Sequence, residues 1–160
     1  MSQAELKIGA VAPSFTLFDQ DERKVSLKEY AGRWLVLYFY PMDDTPGCTV
    51  EACEFTSALK DFEKIGATVV GVSPDSAQSH RKFADKHGLK LRLLSDTDHT
   101  VLEAYLAWGL KSMYGKKYEG VLRSTVLIDP NGRIAFHWPK VKPEGHAKEV
   151  REKMAEVGGR

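Results

Sequence analysis

The residue types able to do chemistry concentrate in one segment, Tyr40-Pro41-Met42-Asp43-Asp44-Thr45-Pro46-Gly47-Cys48-Thr49-Val50-Glu51-Ala52-Cys53, which holds both cysteines of the chain. Cys48 falls where an apolar run has ended, a Pro/Gly-containing loop has turned and a helical pattern begins. The first N–H groups of a helix lack intrahelical acceptors and carry the positive end of the macrodipole, so an anion is favoured there. A thiol in that place is expected to have a lowered pKa and to be present more often as the thiolate, the nucleophilic form. Pro46-Gly47 lets backbone N–H groups approach the sulfur closely. Thr45 can offer a hydroxyl, and Pro41 can wall off one side without presenting a donor that needs water. A free cysteine is often just a small buried hydrophobe, but the strand–loop–helix setting favours a reactive one.

Cys53 lies five residues on, in the second turn of the same helix. Five residues rotate the side chain by about 140° and climb about 7.5 Å, which puts the two Cα atoms about 8.7 Å apart. A disulfide needs about 7 Å or less. Either Cys53 is a core residue, or the start of the helix unwinds when the two sulfurs bond. The Cys-x4-Cys spacing does not match Cys-x-x-Cys or a zinc knuckle, and His80, His87, His99, His137 and His146 show no metal-ligand spacing. No metal or other cofactor is expected.

The elements that must hold this segment follow from periodicity. Phe15–Phe18 and Val25–Leu27 read as short strands. Trp34–Tyr40 is a continuous apolar run that suits a strand buried on both faces. A helix is expected over Thr49–Lys64, with Ala52, Phe55, Leu59, Phe62 and Ile65 at steps of three and four, ended by Gly66. Next come a strand at Thr68–Ser73, a helix at Ser76–His87 stopped by Gly88, and a strand at Leu91–Leu94. A helix through Leu106 follows, with caps offered by residues 95–98. Residues 108–120, with Gly109, Gly115 and Gly120, read as a loop. Val121–Ile128 and Arg133–Trp138 flank the hairpin signal Asp129-Pro130-Asn131-Gly132. Pro143–Val157 reads as a last amphipathic helix with Ala147, Val150, Met154 and Val157 on its buried stripe. Strands alternating with helices, then a hairpin, predict an α/β domain of thioredoxin-like fold, with a central mixed β-sheet flanked by helices.

Length and charge narrow the function classes. At 160 residues the chain is expected to form a single domain, residues 1–160, large enough to bury a core without staples. Charged residues make up 28% with a net charge of +1, so neither nucleic acid nor an anionic membrane is expected as the main partner. No apolar run approaches the ~20 residues of a membrane span. The opening MSQAELKIGAVAPSF lacks a signal-peptide pattern. A cytoplasmic location is expected, where a cysteine pair is more often catalytic or metal-binding than a structural staple.

The same residues carry a resemblance. Tyr38-Phe39-Tyr40-Pro41-x-x-x-Thr45-Pro46-Gly47-Cys48-Thr49-x-Glu51-Ala52-Cys53 resembles the active-site signature of peroxiredoxins, most closely the bacterioferritin comigratory protein or peroxiredoxin Q subfamily. The likeness continues through residues 113–118, residues 123–130 and Gly145-His146-Ala147, and so covers nearly the whole chain. It implies a thioredoxin-like core and the reduction of hydrogen peroxide and organic hydroperoxides. It further implies that Cys48 is the peroxidatic cysteine, that Thr45 hydrogen-bonds the peroxide, that Pro41 shields the sulfur and that Arg123 stabilises the thiolate and the attacked peroxide. Cys53 is implied as the resolving cysteine, forming a Cys48–Cys53 disulfide that a thioredoxin or similar dithiol reduces, in a protein that works as a monomer. Arg123 rests on the resemblance alone. Met42 departs from the pattern where relatives often carry a basic residue, and Val126 where an aromatic is common. A peroxide-sensing switch that docks a partner when oxidised uses the same two cysteines without rapid cycling, and a cysteine-ligated metal protein is the second rival.

Overall fold

Buried strands alternate with amphipathic helices along the chain. In order these are β1 (Thr16–Asp19), β2 (Lys24–Ser26), a 3-10 turn (Leu27–Tyr30), β3 (Trp34–Phe39), α1 (Pro46–Lys64), β4 (Ala67–Ser73), α2 (Ala77–His87), β5 (Arg92–Ser95), α3 (Thr100–Ala104), β6 (Trp108–Met113), β7 (Lys116–Val121), β8 (Ser124–Ile128), β9 (Ile134–Trp138) and α4 (His146–Gly158). The computed structural model describes residues 5–158. Residues 1–4, which open the stretch read as free of a targeting signal, and residues 159–160 lie outside it. Among the described residues no helix is long and apolar enough to cross a membrane.

Seven strands form one sheet in the order β2-β1-β5-β4-β3-β8-β9. β4 runs parallel to both β3 and β5, while β8 pairs antiparallel with β3 and with β9. The apolar run of β3 is central and buried from Leu35 onward. Leu35, Leu37 and Phe39 pack on one face with Phe15, Tyr30, Leu102 and Tyr105. Val36, Tyr38 and Tyr40 pack on the other with Cys48, Phe55 and Phe62 of α1, Phe83 of α2 and Val150 and Met154 of α4. Full burial of an aromatic such as Phe55 contributes about 1.5–3 kcal/mol, so the stripe on α1 pins that helix to the sheet. The mixed α/β sheet flanked by helices is the architecture expected from the alternation.

Away from Cys48, three expectations need correction. Residues 108–120 are not a loop: β6 and β7 pair antiparallel, Trp108 with Val121 through Met113 with Lys116. Gly109 and Gly120 face each other there, and a Cβ would meet Leu122 Cδ1 at 3.1 Å from Gly109 and Lys111 Cδ at 3.2 Å from Gly120. These glycines make room for crossing side chains rather than breaking strands. The turn is Tyr114-Gly115, with φ of +52° and +78°, the double positive φ of a tight hairpin turn. The last helix starts at His146 rather than Pro143, because Gly145 at φ +81° is not helical. The third helix spans only Thr100–Ala104, yet its caps come from the expected segment: Asp96 Oδ2 accepts from Leu102 N at 2.7 Å and Asp98 Oδ1 from Thr100 N at 3.2 Å.

Candidate active site

Helix α1 begins three residues earlier than the periodicity suggests, and this sets the position of Cys48. Thr45 is the N-cap and Pro46 the first helical residue, where its missing N–H costs nothing. The first i→i−4 bond runs from Thr49 N to Thr45 O at 2.9 Å. Gly47 and Cys48 precede it, so their N–H groups belong to the open end of the helix. The Thr45 hydroxyl does not cap the helix but donates to the Met42 carbonyl at 2.9 Å, closing the loop on itself. Pro41 sits half-buried at the start of that loop, and Met42 is exposed.

Cys48 is buried, and the Arg123 Nη2 group donates to its Sγ at 3.2 Å. The other terminal nitrogen of Arg123, Nη1, donates to Glu51 Oε1 at 2.7 Å. Glu51 lies one turn along α1 from Cys48, so a single guanidinium fork spans two side chains of one helix face. Arg123 reaches the site because β8 pairs with β3 and begins at the end where β3 leads into the loop, Phe39 facing Ser124. Its carbonyl accepts from Val141 N at 3.1 Å. Gly47 matters for contact as well as flexibility: a Cβ there would lie 3.3 Å from Arg123 Nη2 and 3.2 Å from Pro143 Cγ. Burial pushes the Glu51 carboxyl up from the ordinary 4.5 to about 7, against the downward pull of Arg123. Burial works against the charge on Arg123, but Glu51 and Cys48 together raise its pKa above the usual value.

The structure thus brings Cys48 and Arg123 into contact, with Pro41 and Thr45 on the loop that leads into Cys48. Cys53 is not brought to Cys48. Both thiols are free, α1 runs unbroken from Pro46 to Lys64, and Cys53 lines a groove between α1 and α4 with Ala147 and Arg151. Val126 packs in the core on the far face of the sheet from Cys48.

Sequence reasoning gave no role to three residues around the site. Glu51 stood in the motif without a function. His146 is buried, with Nε2 2.8 Å from Thr125 Oγ1 and Nδ1 2.7 Å from Glu149 Oε1. His80 is fully buried on α2 beneath the loop, 2.7 Å from Asp43 Oδ2. The available signal for His80 was its place among Ala77, Phe83 and Ala84 on the apolar face of α2. Donor atoms of Asp43, Asp75 and His80 lie within 4.8 Å of one another, a spacing that a metal ion could use. They are instead engaged in hydrogen bonds among themselves and with Ser73, Ser79 and Tyr40.

Comparison with known proteins places the chain in a family. Residues 8–137 match the AhpC/TSA family. The chain is 43% identical over 152 residues to peroxiredoxin Bcp of Bacillus subtilis, covering 95% of this chain and 97% of that one. It is 42% identical over 141 residues to peroxiredoxin Bcp of Escherichia coli, covering 88% and 90%. Peroxiredoxin Q of Xanthomonas campestris matches with a TM-score of 0.88 at 39% identity over 98% of this chain and 99% of its own. PrxQ of Xylella fastidiosa matches with a TM-score of 0.90 at 40% identity over 96% and 98%. A buried cysteine at a helix start, held by an arginine fork, therefore sits in a chain that belongs to the AhpC/TSA family as a peroxiredoxin of the Bcp/PrxQ group, a thiol-dependent peroxidase.

Proposed function

We propose that Cys48 is the peroxidatic cysteine, that Cys53 resolves it within the same chain, and that a thioredoxin or similar dithiol returns the disulfide to thiols. The observation that carries this is the Arg123 fork, with one nitrogen 3.2 Å from Cys48 Sγ and the other 2.7 Å from Glu51. The Cys48 thiolate attacks one peroxide oxygen. The Sγ–O bond forms as the O–O bond breaks, and the leaving oxygen departs with the electron pair and takes a proton from solvent to give water or an alcohol. Arg123 and the open N–H groups at the start of α1 are donors fixed close to the atom where this charge develops, which is electrostatic preorganisation. Thr45 keeps its proton on the Met42 carbonyl, so its oxygen accepts from the peroxide O–H. Pro41 shields the sulfur from water.

Cys48 is then a sulfenic acid. The first turns of α1 unwind, the Cys53 sulfur attacks the sulfenic sulfur, and the hydroxyl leaves with the Cys53 proton as water. Two electrons from the external dithiol restore both thiols. The substrate class is hydrogen peroxide and organic hydroperoxides; alkyl peroxide reduction is ascribed to the related bacterioferritin comigratory protein of Xanthomonas campestris. The protein works as a cytoplasmic monomer on this reading.

The test is a single turnover of reduced protein with one equivalent of hydrogen peroxide, followed by Trp fluorescence for rate and intact mass for product. Wild type is expected to lose two hydrogens. Cys53→Ser should oxidise at the same first rate, gain one oxygen instead, and fail to turn over with thioredoxin. Cys48→Ser should not react. A Cys53→Ser protein that turns over fully removes Cys53 from the cycle.

A further inference from the structure

Helix α2 grips the loop that carries Pro41 and Thr45. Asp43 is buried at the centre of that loop. Its Oδ1 accepts from Tyr40 OH at 2.6 Å, and its Oδ2 accepts from Ser79 Oγ at 2.7 Å and lies 2.7 Å from His80 Nδ1. The other ring nitrogen of His80 lies 2.9 Å from the Leu94 carbonyl, which can only accept, so Nε2 carries a proton and anchors the ring to β5. The Asp43 N–H in turn donates to Asp75 Oδ2 at 2.8 Å, an oxygen that also accepts from Ser73 Oγ.

The next residue is held by the same helix. Asp44 has φ +59°, an uncommon conformation for a residue with a side chain. Its carboxylate accepts from Lys86 Nζ at 2.7 Å and lies 2.8 Å from His87 Nε2, both at the C-terminal end of α2. A strained backbone persists only where its surroundings over-determine it. Thr45 follows directly, and α1 begins one residue later.

We propose that the buried Asp43–His80 pair is a latch: His80, acting through Asp43, is a positioning residue that holds the Pro41–Thr45 loop over Cys48 while the sulfur reacts with peroxide and opposes the unwinding that lets Cys53 reach it. The latch rests on the two-cysteine reading above. It sets how long Cys48 stays as a sulfenic acid inside the closed site, and so how often a second peroxide carries it to the sulfinic acid. Loosening the latch therefore moves two rates in opposite directions. The first oxidation slows because Thr45 and Pro41 lose their place, and disulfide formation speeds up because the loop and the first turn of α1 leave more easily.

The variants are His80→Gln, which keeps a donor for Asp43 but loses the tie to Leu94, and Asp43→Asn, which keeps the shape of the loop. Leu102→Ala, fully buried against the opposite face of the sheet, controls for general destabilisation. Three readings are taken: amide hydrogen exchange over residues 41–53 of the reduced protein, the single-turnover rates of the two steps, and the sulfinic acid yield under excess peroxide. His80→Gln is expected to exchange at least about tenfold faster in that segment, oxidise several-fold slower, form the disulfide several-fold faster and give less sulfinic acid. Asp43→Asn should move the same way by less, and Leu102→Ala should leave the ratio of the two rates as in wild type. Unchanged exchange and rates in His80→Gln, or an equal shift in Leu102→Ala, overturn the latch. A wild type that forms no disulfide overturns the resolving role of Cys53 instead, and the latch is then decided by exchange and the first rate alone.

Discussion

Two buried polar clusters flank Cys48, and they are built on opposite principles. In the cluster under the loop (Tyr40, Asp43, Ser73, Asp75, Ser79 and His80) the carboxylates and ring nitrogens answer one another with bonds of 2.6–2.9 Å. In the cluster behind the sulfur, Arg123 is shared between Cys48 and Glu51, while Glu51 Oε2 and Tyr38 OH are buried without a hydrogen-bond partner. An unsatisfied buried polar group costs about 1–3 kcal/mol, so the second cluster gives up stability that the first does not. The satisfied cluster fixes geometry. The frustrated one holds Arg123 as a donor on the atom that reacts, where a developing negative charge can draw on it.

The contrast breaks most visibly at Arg123. Arg123→Met removes the donor to the sulfur and leaves a buried Glu51 without its counter-charge. Loss of one preorganised donor of this kind costs about 10²–10³ in rate, and that fall is expected in the Cys48 oxidation rate with peroxide in stopped-flow fluorescence. A fall of less than about threefold would place the rate-determining electrostatics elsewhere, at the open end of α1.

Glu51 sharpens the contrast through pH. Its carboxyl is raised by burial from 4.5 to about 7. A group whose pKa is higher in the folded than in the unfolded protein favours folding most below the unfolded value, here 4.5. That contribution is lost as pH rises through about 7, because the unfolded chain ionises the carboxyl more readily. That difference corresponds to roughly 3 kcal/mol as an order of magnitude. Glu51→Gln should therefore flatten the stability decline between pH 4.5 and pH 7, measured by urea unfolding at several pH values. It should also remove a titration near pH 7 from the Cys48 oxidation rate, because in wild type the new Glu51 charge there offsets Arg123. A variant with the wild-type pH profile would show that Glu51 is already ionised by Arg123 throughout.

How much of this was legible depends on distance along the chain. Cys48 at a helix start follows from a local pattern, an apolar strand, a Pro/Gly loop and a helical stripe, and no long-range information is needed. The fold class followed for the same reason. Arg123 is 75 residues from Cys48 in sequence and arrives only through the β3–β8 pairing, so composition and periodicity could not select it and the family resemblance did. His80 sat with Ala77, Phe83 and Ala84 on one face of its helix, a pattern that does not pair it with Asp43, and Glu51 stood in the motif with nothing in its spacing to pair it with Arg123. The β6–β7 hairpin was hidden because its glycines serve close side-chain packing in a strand pair, where a sequence pattern reads them as punctuation.

The smallest effect isolates the cost of an unpartnered atom. Tyr38 is fully buried, its ring stacked on Phe55 with centroids 4.8 Å apart and on Tyr40 at 5.6 Å. Its hydroxyl lies against Gly71, where an added Cβ would sit 2.9 Å from the oxygen, and it has no hydrogen-bond partner. Burial raises its pKa well above that of an ordinary tyrosine, with Glu51 and Cys48 adding to the effect, so it stays neutral and contributes a dipole rather than a charge. Tyr38→Phe keeps both stacking contacts and deletes only the orphaned group, at the expense of a void the size of one oxygen. A net gain of about 1 kcal/mol in urea unfolding is expected, with the Cys48 oxidation rate within about twofold of wild type. A loss of stability would mean that the hydroxyl is satisfied in solution and that the two clusters differ less than their bonding suggests. A large loss of rate at unchanged stability would move Tyr38 into the machinery around the sulfur.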